Sequence, residues 1–141
     1  MNEERNKAIV RRFVEEFKNK ANHAVVRELF SPNFVTHLKL PGVPPTRDGF
    51  EMLGKGVVEA FPDVHATVED LLASGDKVVE RTTARATSRG PFNGIPPTGK
   101  PVQWSEIHIY RLDGEKIVEH WGEIDMLAIL AQLGAIPPPP G

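Results

Sequence analysis

The sequence predicts an α+β protein, a cone-shaped curved antiparallel sheet wrapped around N-terminal helices. Three observations predict it. Apolar residues recur at helical spacing as far as Phe61, whereas two-residue alternation governs the stretch from Val64 to Ile124. Turn signals at Ser74-Gly75-Asp76 and Asp113-Gly114 fold that second stretch into hairpins. Helices gathered ahead of strands argue for α+β rather than an alternating α/β order.

The elements follow in order. Residues 3–20 carry Ile9, Val10, Phe13, Val14 and Phe17 on one helical face, with Arg5, Arg11, Arg12, Glu15 and Glu16 elsewhere. Asn22 can cap a second helix through about Phe30, and Ser31-Pro32-Asn33 stops it. Phe34 to His37 reads as a short strand, and the prolines at 41, 44 and 45 as a loop. Thr46 can cap a third helix, which Pro62 ends. Strands are expected over 64–73, 77–89, 102–112 and 116–124, with the rigid loop 90–99 between the second and third of these. A closing helix spans 126–133, where Gly134 ends it. The expectation is one domain over residues 1–134 and a proline-rich tail over 135–141.

Composition narrows the function. With 17 Lys plus Arg against 19 Asp plus Glu, no basic excess exists to neutralise phosphates, so nucleic acid is not expected as a partner. The absence of cysteine removes thiolate chemistry and suits a reducing cytoplasm. No apolar run reaches the ~20 residues of a membrane span, and the charged start lacks a signal peptide's apolar stretch. No His-Glu-x-x-His or clustered His/Asp spacing marks a metal site, and no Gly-x-Ser-x-Gly elbow is present.

The last hairpin carries the most chemistry. A two-residue turn at Asp113-Gly114 pairs Tyr110 with Ile117, His108 with Glu119 and Glu106 with Trp121. Period two then places Trp104, Glu106, His108, Tyr110, Ile117, Glu119 and Trp121 on one face, with Asp125 in the same parity. The other face carries Ile107, Ile109, Val118, His120 and Ile124, apolar enough to meet a second subunit. A bulge would exchange the faces. Imidazole beside carboxylate in an apolar pocket is proton-transfer chemistry, and tryptophan offers a flat wall for a ring-shaped guest. Plainer roles exist for each residue. Asp125 stands at an N-cap position; His108, His120 and His37 can be hydrogen-bonded structural histidines; Trp104 and Trp121 can be core; Glu106 and Glu119 can be solvated. His23 and His65 read as surface residues.

Five segments in this order resemble the SnoaL-like polyketide cyclases: AFPD at 60–63, ASGDKVVER at 73–81, FNGIPPTGKPV at 92–102, IYRLDGEKIVEHW at 109–121, and Asp125 followed by QLG at 132–134. The resemblance spans about Asn6 to Gly134. It implies the cone-shaped, cystatin-like α+β barrel shared with nuclear transport factor two and ketosteroid isomerase. It also implies intramolecular aldol condensation, or a related isomerisation, of a hydrophobic carbonyl compound without metal or cofactor. By motif Asp125 matches the family's general acid/base, with His108 assisting. His37, in PNFVTH, matches a position that commonly faces the cavity, and Phe34, Trp104, Glu106, Trp121 and His120 complete the expected substrate wall. Of Trp121 and His120 only one can face inward, and parity favours Trp121. The expectation is a cavity of some hundreds of Å³ in which Asp125 and His108 converge, in a homodimer built through the outer sheet face. Epoxide opening in the same pocket is the rival enzyme; a non-catalytic ligand-binding domain is the rival of another class.

Overall fold

The computed structural model describes residues 2–137; Met1 and residues 138–141 lie outside it, and with the latter most of the expected proline-rich tail. Helix α1 (Glu3–Phe13) runs on as a π-helical segment, Val14–Asn19, so residues 3–19 form the amphipathic helix expected. The wider π turn rotates Lys18, which α-helical winding would leave at the margin of the apolar stripe, towards its centre. A 3₁₀ turn (His23–Val25) and α2 (Val26–Leu29) replace the single second helix, and the Asn22 side chain donates to Glu16 instead of capping. Helix α3 (Arg47–Ala60) starts at Thr46, whose Oγ1 accepts from the Gly49 N–H at 3.2 Å.

Five strands follow one order in space, β1-β5-β4-β3-β2. They are β1 (Phe30–Thr36), β2 (His65–Ser74), β3 (Lys77–Thr87), β4 (Pro101–Asp113) and β5 (Lys116–Ile124). The sheet is curved and unclosed, with β1 and β2 as its edges. All neighbours are antiparallel except β1 and β5. Strand β1 begins four residues earlier than Phe34: Ser31-Pro32-Asn33, read as a stop, lies inside it, at an irregularity in its pairing with β5. Prolines are tolerated there because an edge strand leaves one row of backbone groups unpaired. Helix α4 (Met126–Gln132) closes the chain. No helix of the described residues is long and apolar enough to cross a membrane.

Two apolar clusters fill the concavity. One joins Val10, Phe13, Phe17, Phe30, Phe34, Phe50 and Tyr110. The other joins Phe61, Ala84, Val102, Trp104, Ile129 and Leu133 near α4. Inward residues of β3 (Val78, Glu80, Thr82, Ala84, Ala86) alternate as the period-two rule predicts. Between the clusters the same inward rows turn polar, and the site lies there.

Candidate functional site

The register of β4 and β5 decides which side chains enter. The turn falls on Gly114-Glu115, one residue later than expected, so Leu112 faces Ile117. That shift preserves parity, and Ile117 points inward as predicted. Val118 is then an extra residue: Arg111 faces Glu119, and beyond it Tyr110 faces His120 and His108 faces Gly122. This bulge exchanges the faces of the rest of β5. Glu119 and Trp121 go outward and His120 goes inward, which corrects the expectation that Trp121 is the inward member of the pair. His37 goes out with them: it is exposed, stacks on Trp121 with ring centroids 5.1 Å apart, and meets Glu119 Oε2 at 2.7 Å. Gly122 marks the exchange, since a Cβ there would lie 2.6 Å from His108 Nδ1 and 2.9 Å from His120.

The chamber measures about 80 Å³, far below the hundreds expected. Its sheet wall is Ala66, Ala84, Trp104, Glu106, His108 and Tyr110; its helical wall includes Phe17, Lys18, His23, Phe50 and Gly54. Half-buried Leu38, Leu53, Val57, Val58 and Ile124 make an apolar rim. Of the expected site residues, Trp104, Glu106 and His108 therefore line it. His120 is buried directly behind His108, and Phe34 belongs to the aromatic core, tilted against Phe30 at 4.3 Å. Asp125 lies elsewhere: it is exposed, and its carboxylate accepts from the Ala128 N–H at 3.0 Å as the N-cap of α4. The structure thus brings His108 together with Glu106, not with Asp125, because the chain leaves the sheet at Ile124 to begin a helix. His23, read as a surface residue, is buried in the chamber wall.

A continuous hydrogen-bonded network joins the polar residues. Lys18 Nζ donates to Glu80 Oε2 at 2.9 Å and to Glu106 Oε1 at 3.1 Å. Tyr110 OH donates to Glu80 Oε1 at 2.6 Å, and Thr82 Oγ1 to Glu80 Oε2. Trp104 Nε1 donates to Glu106 Oε2 at 2.6 Å. His108 Nε2 meets Glu106 Oε1 at 2.7 Å, His108 Nδ1 meets His120 Nε2 at 2.8 Å, and His120 Nδ1 meets Thr36 Oγ1 at 2.7 Å. When both imidazoles are neutral, the Glu106 carboxylate orders the hydrogens. His108 donates from Nε2 and accepts at Nδ1; His120 donates from Nε2; Thr36 donates to His120 and accepts from the Leu38 N–H at 3.1 Å.

The charges explain why such a network survives burial. Burial alone would raise the Glu106 carboxyl, but the Lys18 ammonium and the His108 and Trp104 donors outweigh it and hold the group well below the usual carboxylate range. Glu80 is lowered in the same way, against burial, by Lys18, His108, Thr82 and Tyr110. Burial opposes the charge on Lys18, yet Glu106 and Glu80 raise its pKa. His120 is pushed down to about 2 by burial, with His108 and Lys18 adding to it. The Lys18–Glu80–Glu106 set carries net charge −1, one proton short of neutrality. Two of the three Lys18 N–H bonds are used; the third has no protein acceptor among the described residues. Among the same residues no group of three or more His, Cys, Asp or Glu side chains is placed to hold a metal ion.

A curved sheet closing on N-terminal helices defines the nuclear-transport-factor-two-like fold. The chain belongs to the SnoaL-like polyketide cyclase family, whose family model matches residues 8–133. It is 34% identical to IdmH, a candidate polyketide cyclase from Streptomyces antibioticus, over 92% of this chain and 98% of that one, with a TM-score of 0.80. It is 30% identical to AclR, a candidate hydroxylase from Streptomyces galilaeus, over 96% and 85% of the two chains, TM-score 0.85. A candidate polyketide cyclase from Acidithiobacillus ferrooxidans is 29% identical over 92% and 94%, TM-score 0.81. No curated protein matches.

Proposed function

We propose that this protein is a cyclase- or isomerase-type enzyme acting on a hydrophobic carbonyl compound, with Glu106 and His108 as its proton-transfer pair. The observation that carries this reading is the 2.7 Å contact between His108 Nε2 and Glu106 Oε1 in the wall of a largely apolar chamber. Glu106 is ionised at neutral pH and would take the proton from carbon between two carbonyls. A carboxylate so well stabilised is a weak base, so the enolate has to be stabilised in turn; the third N–H of Lys18 supplies that charge to the enolate oxygen. The enolate attacks a ketone of the same molecule. His108 Nε2–H delivers its proton to the new alkoxide as the protonated Glu106 passes to Nε2 the proton it took, while His120 Nε2–H stays bonded to His108 Nδ1, so all three groups end as they began. The apolar wall holds the chain near its reactive geometry. At about 80 Å³ the chamber suits a fragment of such a guest, so a whole polyketide requires α3 and the Leu38 segment to part.

A second copy would seat on the outer sheet face, where Ile107 and Val35 are exposed and Trp121 stacks on His37. The non-catalytic binding domain is the competing reading, and the N-cap role of Asp125 favours it. Deuterium incorporation into aryl ketones and aromatic polyketide methyl esters, followed by NMR, separates the two. The enzyme reading expects wild-type exchange at the α-carbon and a loss of about 10²- to 10⁴-fold in Glu106→Gln. Binding without exchange across the panel defeats it.

A further inference from the structure

His23 is the one histidine of the chamber outside the relay. It comes from the 3₁₀ turn on the helical wall, whereas Glu106 and His108 come from the sheet wall. The residue is 8% exposed, and its Nε2 is fully buried without a hydrogen-bond partner among the described residues. Buried polar atoms are nearly always paired, so an unpaired one in a cavity wall points to a partner that arrives from outside the chain. The ring is also held in place. Phe17 packs edge-on at 5.2 Å, and α3 presses so close that a Cβ at Gly54 would stand 2.7 Å from His23 Cδ2 and 2.5 Å from Phe17 Cζ. Any larger residue at position 54 would lift the helix from the imidazole. Burial lowers the His23 pKa, helped by Lys55 and opposed by Glu51, so the ring is neutral and can donate or accept.

Building on the chamber reading above, we propose that His23 is a ligand-binding residue that hydrogen-bonds a second oxygen of the guest. The site then selects molecules that are flat, largely apolar and oxygenated at two separated positions. One oxygen meets the Lys18–Glu106–His108 group on the sheet wall; the other meets His23 Nε2 on the helical wall. A guest with one oxygen leaves His23 unpaired.

Phenol and resorcinol, which differ by that second oxygen, test this in NMR titrations of wild type, His23→Leu and His23→Gln. The wild type is expected to bind resorcinol about three- to tenfold more tightly than phenol, the worth of one neutral hydrogen bond. His23→Leu should abolish the difference between the two guests, and His23→Gln should keep part of it. The wild-type His23 Nε2 nitrogen resonance should move with resorcinol and not with phenol, which decides the question even if His23→Leu fails to fold. A preference that persists in His23→Leu, or an Nε2 resonance unmoved while chamber amides respond to resorcinol, overturns the His23 assignment and leaves the chamber intact as a site. Chamber amides that respond to neither probe overturn the chamber reading itself, and His23 with it.

Discussion

Strand β4 passes through two kinds of interior on one face. At one end Tyr110 and Leu112 meet Phe13, Phe17, Phe30 and Phe50; in the middle His108 and Glu106 meet Lys18, Glu80 and His120. The aromatic end holds together by area removed from water and by ring packing, such as Phe13 on Phe17 at 4.9 Å. That attraction is non-directional, and losing one ring leaves a cavity but no unpaired charge. The ionic middle is the reverse. Each charge there would be costly alone, and the set persists because every member satisfies another. A fold gains little stability by burying three charges where leucines would fit, and the proton-transfer role proposed above is what would retain them.

The contrast can be broken at its largest effect by paired substitutions. Phe13→Ala and Lys18→Met should each cost roughly 3–5 kcal/mol, the first by cavity creation and the second by leaving Glu80 and Glu106 without their counterion. They differ in pH dependence. The folded-state pKa values of Glu80 and Glu106 lie below the ordinary 4.5, so their contribution is complete above that value and is lost progressively as pH falls from it towards the lower folded-state values. His120 acts with the same sign: held neutral, it favours the fold above its ordinary 6.5 and progressively less below. Without Lys18 the buried carboxyls prefer their protons. Chemical denaturation at pH 7 and pH 5 should therefore show the Lys18→Met deficit shrinking on acidification and the Phe13→Ala deficit constant. Equal pH slopes would mean that Lys18 is not the counterion of this network.

A smaller effect sharpens the picture at the far end of the relay. Thr36→Val removes the hydroxyl that fixes His120 and accepts the Leu38 N–H, with an expected cost of about 1–2 kcal/mol. A purely structural loss would stop there. Because Glu106 orders the chain through His108, the His120 ring-nitrogen resonances should keep the Nε2–H pattern in Thr36→Val. A changed tautomer would mean that Thr36, and not the carboxylate, sets the direction of the relay.

The same contrast explains what the sequence made legible. Period two along β3 and β4 placed Trp104, Glu106 and His108 inward, because both strands pair without interruption from Lys77–Arg111 to Thr87–Pro101. The closing helix, Thr46 as a cap and the order of elements follow from equally local rules. Strand β5 defeated the rule at one residue: nothing in Lys116-Ile117-Val118-Glu119 announces a bulge, and beyond it His120 and Trp121 exchanged places. The signal available was Gly122, a residue without a side chain opposite His108, where two imidazoles need the room. Lys18 and His23 were hidden for another reason. A π turn and a 3₁₀ turn carry them inward, and neither winding follows the 3.6-residue period by which helical faces are read.

The smallest effect concerns Asp125. The family resemblance implies an acid/base there, while its geometry makes it a cap: an exposed carboxylate 3.0 Å from the Ala128 N–H and no place in the chamber wall. A cap lost to alanine costs about 1 kcal/mol, a few degrees of melting temperature in a chain of this size. Asp125→Asn retains an acceptor at the cap and should lose less than Asp125→Ala, because asparagine caps nearly as well as aspartate. Both variants remove the carboxylate, so a catalytic role would silence both alike in the deuterium-exchange assay, whereas a cap predicts near wild-type exchange in both and a graded loss of stability. Exchange lost in Asp125→Asn with stability retained would return the proton transfer to Asp125 and require the start of α4 to swing towards His108 when a guest enters.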